Sequence, residues 1–169
     1  MITLYLDMDG VLCDFATTYH ALHTYAKDGK RFRAAVMDYK IFEDLDPMPD
    51  AHVLLTKVSK LKNVNVEILT SLGTGADNKW PDQASAAKKQ KLHWLKKYDI
   101  SYKPNFVYSK EEKAAYATSM SILIDDSLGC ITPFERKGGY GILHTSAEKS
   151  VDTLNGLILQ IRALFALRG

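Results

Sequence analysis

Ile2-Thr3-Leu4-Tyr5-Leu6-Asp7-Met8-Asp9-Gly10-Val11-Leu12 decides how this chain folds. The run over residues 2–6 is apolar, has the length of a buried strand, and is followed at once by two carboxylates. The acids therefore fall at the carboxyl end of that strand. In open α/β sheets this end faces the ligand crevice. Two acids placed there suit a divalent cation, a nucleophile with its proton-transfer partner, or both. An acid-x-acid-Gly pattern also occurs in turns and calcium loops. A calcium loop needs further oxygen ligands and a closing Glu, and Cys13 and Phe15 stand where ligands belong.

Outward from this stretch, apolar strand-like runs recur at 64–69, 105–108, 121–124 and 140–144. Helical periodicity lies between them, at 51–61, 84–98, 110–118 and 151–167. Strands alternating with helices predict an α/β fold with a mainly parallel central sheet flanked by helices. Residues 15–49 break the rhythm. They hold helical material over 15–26, a basic turn over 27–31, and the aromatic segment Tyr39-Lys40-Ile41-Phe42. An insertion leaving the first strand sits over the strand ends, where a lid forms. The expected organisation is a core of residues 1–14 and 50–169 with a small helical cap of residues 15–49.

A second acid pair, Asp125-Asp126, directly follows Ile122-Leu123-Ile124. If that strand neighbours the first, three or four carboxylates converge and repel one another. Bound Mg²⁺ resolves the conflict, since it takes oxygen ligands. Helix capping and turn formation explain either pair alone but not the constellation. The second strand-like run leads into Thr70-Ser71, whose hydroxyls can bind phosphate oxygens or simply cap a turn. A lysine within 88–97 can neutralise a transferring phosphoryl group or merely solvate a helix face.

The spacing of the first pair has a chemical use. If Asp7 attacks phosphorus, the leaving alkoxide needs a proton, and a carboxylic acid two residues along can deliver it. A haloalkane would need no such donor, so Asp9 favours phosphate esters. In receiver domains an acidic pair precedes a lone phospho-accepting aspartate; here the Asp-x-Asp comes first, which argues against a receiver.

The 169 residues fit one domain with its own core. A net charge of +2 lacks the strong basic footprint of a nucleic-acid binder. Cys13 and Cys130 have no metal-ligand spacing and read as buried thiols of a reducing compartment. There is no secretory signal pattern and no run of roughly 18 apolar residues, so a soluble cytoplasmic protein without a membrane partner is expected. His20 and His23, three apart on an expected helix, read as a solvated face rather than half a metal site.

Taken together, the motifs resemble those of haloacid dehalogenase-superfamily phosphatases. Asp7-Met8-Asp9-Gly10, Thr70-Ser71, a lysine and Asp125-Asp126 stand in that family's order. Within it, three stretches are similar to the 5'(3')-deoxyribonucleotidases: Asp7 through Phe15, Phe42 through Ala51, and Lys91-Leu92-His93-Trp94-Leu95-Lys96-Lys97-Tyr98. The last selects Lys91 among its neighbours. The resemblance implies a Rossmann-like core with Asp7 as nucleophile and metal ligand. Asp9 would be the acid/base and ligate metal through its carbonyl, and Asp126 and Asp125 would complete a Mg²⁺ site. Thr70 and Lys91, helped by Ser71 and the Gly10 amide, would hold the phosphoryl group. Phe15 and Phe42 would line the nucleoside pocket. The chain departs from that group in its short cap, in Leu72 where proline is expected, and in Ser127 where a basic residue is usual.

The expected function is a Mg²⁺-dependent phosphomonoesterase acting on a small phosphate ester, a (deoxy)nucleoside monophosphate, through an aspartyl-phosphate. The alternatives are a phosphatase of nucleic-acid ends or of another small phosphate, and a non-catalytic phosphate- or metal-binding module.

Overall fold

The computed structural model describes residues 1–22 and 30–167. At its centre is β1 (Ile2–Leu6), paired in parallel with β2 (Val64–Ser71) on one side and β4 (Ser121–Asp125) on the other. β3 (Lys103–Val107) and β5 (Tyr140–Leu143) complete an all-parallel sheet of order β3-β2-β1-β4-β5. Chain order reverses between β1 and β4, which makes their carboxyl ends the switch point where such sheets bind ligands. The register sets Leu6 opposite both Ile68 and Ile124, so the residues following all three strands emerge on one edge.

Alternation along the strands sends neighbouring side chains to opposite faces. Leu4, Leu6, Ile122 and Ile124 enter the main core with α3 (Ala51–Val58), α4 (Pro81–Lys97) and α6 (Ala147–Ala166). Leu69, Val107 and Leu123 face a smaller cluster closed by Cys130, Ile131 and Phe134 of α5 (Leu128–Arg136). A 3₁₀ turn over Glu111–Tyr116 connects β3 to β4. Among the described residues, no helix is long and apolar enough to cross a membrane.

The interval between β1 and α3 holds α1 (Phe15–Ala21) and α2 (Lys30–Met37). Asp14 caps α1 by accepting from the Thr17 amide at 3.1 Å. Ala35, Val36, Ile41, Phe42 and Leu45 of this interval are buried in the main core, so it shares that core. α4 is the spine that holds it. Pro81 in the first turn, Asp82 beside it, and Lys96 and Lys97 in the last turn suit both ends of this helix. Its Gln90 amide donates to the Val36 carbonyl at 2.8 Å, and its Trp94 indole donates to the Leu45 carbonyl at 2.8 Å. Asp82 accepts both arms of the Arg33 guanidinium from α2.

Two helices were not anticipated. Lys30 and Arg31, expected in a turn, begin α2; residues 23–29, with the rest of that turn and the end of the expected first helix, lie outside the described residues. α5 contains Gly129 and Pro133, which local propensity counts against a helix. Burial of Cys130, Ile131 and Phe134 against the sheet overrides that preference.

Gly73 marks where the interval meets the core. Its φ is +70°, and a Cβ there would lie 2.6 Å from the Phe32 ring of α2. Gly73→Ala is expected to cost about 1–3 kcal/mol through strain and overpacking, read as a lowered urea midpoint. An unchanged midpoint would mean that α2 does not pack firmly at this point.

Candidate active site

Asp7 is held where the β1 backbone ends. Its amide donates to the Ile124 carbonyl at 3.0 Å, tying it to β4. Its Oδ1 accepts from the Met8 amide at 2.8 Å and forms an ion pair with Lys113 Nζ at 2.8 Å. The chain then folds back tightly, as the Leu12 and Cys13 amides both donate to the Met8 carbonyl. Gly10 makes this possible with φ +77°, and a Cβ there would lie 2.1 Å from Asp126 Oδ2. The expected Gly10 contribution was its amide, but that amide donates to the Cys13 carbonyl at 2.9 Å. What Gly10 provides is room for the Asp126 carboxylate.

From β4 come Asp125 and Asp126. Asp125 is 0% exposed; its Oδ1 accepts from the Ser127 amide at 2.9 Å and its Oδ2 from Lys113 Nζ at 2.6 Å. Carboxylate oxygens of Asp7, Asp125 and Asp126 lie within 4.8 Å of one another. Burial, and then the Asp7 charge, push the Asp125 carboxyl up to about 6 despite Lys113. Burial followed by Asp7 and Asp9 also raise Asp126. Burial alone would lower Lys113, but Asp7 and Asp125 outweigh it and hold the ammonium charged.

Three carboxylates against one shared ammonium leave excess negative charge on oxygen donors alone. That donor set fits a hard divalent cation such as Mg²⁺, and the space beside Gly10 is shaped by the carboxylate of one expected ligand. The adjoining cleft of about 170 Å³ is lined by Asp7, Asp9, Gly10, Ser71, Lys113 and Asp126, with Phe15, Lys110 and Cys130 among its other walls. Burial pushes the Cys130 thiol up to about 12, so it is a neutral wall.

The expected phosphate-binding residues divide into two sets. Ser71 faces the cleft at the end of β2, its hydroxyl within 3.4 Å of the Tyr108 carbonyl. Thr70 and Lys91 are both 0% exposed and lie behind Asp9. Lys91 Nζ donates to Asp9 Oδ2 and to Thr70 Oγ1, each at 2.7 Å. Lys110 and Lys113 both line the cleft, and Lys113, the one paired with Asp7 and Asp125, was not anticipated. Its signal is faint: one of two lysines in Lys110-Glu111-Glu112-Lys113, a segment that reads as a polar helix turn.

The aromatic residues also separate. Phe15 lines the cleft. Phe42 is 1% exposed and stacks behind Phe15 with ring centroids 5.5 Å apart. Phe42 therefore supports Phe15 here and presents no face to the cleft. His20 is exposed on α1, and its expected companion His23 lies outside the described residues.

The chain is similar to solved structures. A hydrolase from Streptococcus pneumoniae TIGR4 is similar over 90% of this chain and 97% of its own, with a TM-score of 0.55 and 14% identity. A haloacid dehalogenase-like family hydrolase from Streptococcus pneumoniae covers 90% of each chain at a TM-score of 0.48 and 13% identity. No protein-family profile and no curated protein matches the sequence. The first of these likenesses establishes a shared fold.

Lys113 can be tested by itself. Lys113→Met leaves two buried carboxylates without their ammonium and is expected to destabilise the metal-free protein by roughly 3–5 kcal/mol in urea unfolding. A midpoint equal to wild type would show that the acids need no internal counter-charge.

Proposed function

We propose that this chain is a Mg²⁺-dependent phosphomonoesterase of the haloacid dehalogenase superfamily, hydrolysing nucleoside monophosphates through an aspartyl-phosphate on Asp7. The observation that carries this reading is the pairing of Asp7 with Asp9 in one cleft beside the Asp7, Asp125 and Asp126 cluster at the sheet's switch point. Residues 15–49 would form the short cap, with Phe15 as the surface for the nucleoside.

Asp7, Asp125 and Asp126, with the Asp9 carbonyl, would hold Mg²⁺, which supplies charge neutralisation for the phosphoryl oxygens. Lys113 and the Ser71 hydroxyl, both facing the cleft, would add hydrogen bonds to the phosphoryl group. Asp7 attacks phosphorus, forming an acyl-phosphate bond as the ester P–O bond breaks. Asp9 gives its proton to the departing alkoxide. Asp9 then takes a proton from water, whose oxygen attacks the same phosphorus. Inorganic phosphate leaves and the Asp7 carboxylate is restored.

Purified protein with Mg²⁺ is expected to release phosphate from dUMP or dTMP, and EDTA to stop it. Absence of release across a panel of nucleotides, sugar phosphates and a phosphorylated oligonucleotide would refute the reading. Asp7→Asn should abolish turnover while leaving the thermal transition in place, because the nucleophile is lost without loss of volume. A turning-over Asp7→Asn enzyme would exclude the covalent route.

A further inference from the structure

Lys91 is a fully buried ammonium on the inward side of α4, which it shares with the buried Ala87 and Trp94. All sides of its charge are occupied. Asp9 Oδ2 and Thr70 Oγ1 accept from it, and Nζ sits 4.4 Å from the centre of the Phe42 ring. An amine committed to these partners and closed from solvent has no free face for a phosphoryl oxygen.

The other partner in this arrangement is Asp9. It stands on the tight return after β1, its side chain is 28% exposed, and among the described residues its Oδ1 has only the Cys13 thiol, at 3.5 Å. A thiol is a weak donor. Orientation of the Asp9 carboxylate therefore rests on Lys91, which is delivered by the long helix α4. Proton transfer depends on such orientation, because a donor slightly misplaced loses much of its effect. The chain of contacts continues outward: Phe42 stacks on Phe15, and Phe15 stacks on Tyr19 with centroids 5.0 Å apart. Phe15 is the cleft's aromatic wall, so the same column runs from the substrate side to the proton-transfer group.

We propose that Lys91 is the positioning residue for Asp9, with Phe42 as the wall that fixes the Lys91 ammonium, and that Lys91 does not hold the phosphoryl group. The kinetic consequence rests on the phosphomonoesterase reading; the structural consequence does not. A misoriented Asp9 slows the departure of an alkoxide, which needs a proton, far more than that of 4-nitrophenolate, which does not. A lost phosphoryl ligand would slow both alike.

The test compares kcat/KM, which reports the first phosphoryl transfer, for β-glycerophosphate and 4-nitrophenyl phosphate with Mg²⁺. Lys91→Met is expected to lose roughly 100-fold on the alkyl ester and less than about 10-fold on the aryl ester. Phe42→Leu should show the same bias with a smaller loss of roughly 3–10-fold on the alkyl ester. Lys91→Gln, which keeps a donor, should recover part of the alkyl-ester rate, and it carries the comparison should Lys91→Met not fold. Equal losses on the two esters overturn the proposal. The crystal structure of the Lys91 variant provides a readout without turnover: the Asp9 carboxylate is expected to leave its wild-type position, and an unmoved carboxylate overturns the proposal. A wild-type enzyme inactive on both esters and on the nucleotide and sugar-phosphate panel would defeat the functional reading, while the position of Asp9 in that crystal would still decide this one.

Discussion

The Lys113 ammonium between Asp7 and Asp125 is the interaction on which the functional edge of the sheet depends. The apolar runs of β1 and β4 pair because both are buried, and pairing sends the acids that follow them to one place. Two carboxylates at about 5 Å repel by about 3 kcal/mol at an effective dielectric of about 20. Lys113, itself 1% exposed, offsets that repulsion for the two most deeply placed acids. One buried ammonium does not balance three carboxylates, and the excess faces the cleft, where Lys110 offsets part of it at Asp126. The folded edge thus carries both its own stabilising cation and a remaining demand for a second one.

The two buried lysines have opposite orientations with respect to this edge. Lys113 reaches from the 3₁₀ turn after β3 and faces the cleft. Lys91 reaches from α4 on the main-core side and meets Asp9 from behind. Each neutralises a different acid of the first motif, Lys113 taking Asp7 and Lys91 taking Asp9. The two aspartates therefore sit in unlike surroundings although only Met8 separates them. Asp7 is locked by a backbone amide and an ammonium beside other acids, which suits a fixed nucleophile. Asp9 is partly exposed and tethered through one oxygen, which suits a group that must exchange a proton.

Much of this was legible in the sequence, for identifiable reasons. Asp7, Asp9, Asp125 and Asp126 could be placed because uninterrupted apolar runs announce strands and the acids directly follow them. The sheet class followed from the alternation of two periodicities. Lys113 was not legible, because a lysine among glutamates in a short polar turn looks solvated until the turn packs against α5. The orientation of Lys91 was hidden for a related reason: its side-chain direction is set by α4 packing against Phe42 and Leu45, a relation between distant segments. The missing side chain of Gly10, which leaves room for the Asp126 carboxylate, could not be read from the sequence, because Asp126 reaches it from a distant strand. α5 was lost to Gly129 and Pro133, whose local preferences yield to burial.

The size of the cleft constrains what the edge can do. About 170 Å³ is below the usual span of small-molecule pockets, roughly 300–1,000 Å³. On the proposed reading that volume suits a phosphoryl group and its cation, and the rest of the substrate lies outside, against the surface of the interval between β1 and α3. There the exposed side of the aromatic stack begins, with Phe15 in front, Phe42 behind it and Lys91 behind that. Chemistry and substrate choice are thus separated in space but joined by a single row of packed side chains. On that reading, replacing residues in that row would change how the substrate is seated and how Asp9 is aimed at the same time, whereas replacing Asp126 would change the charge at the phosphoryl site.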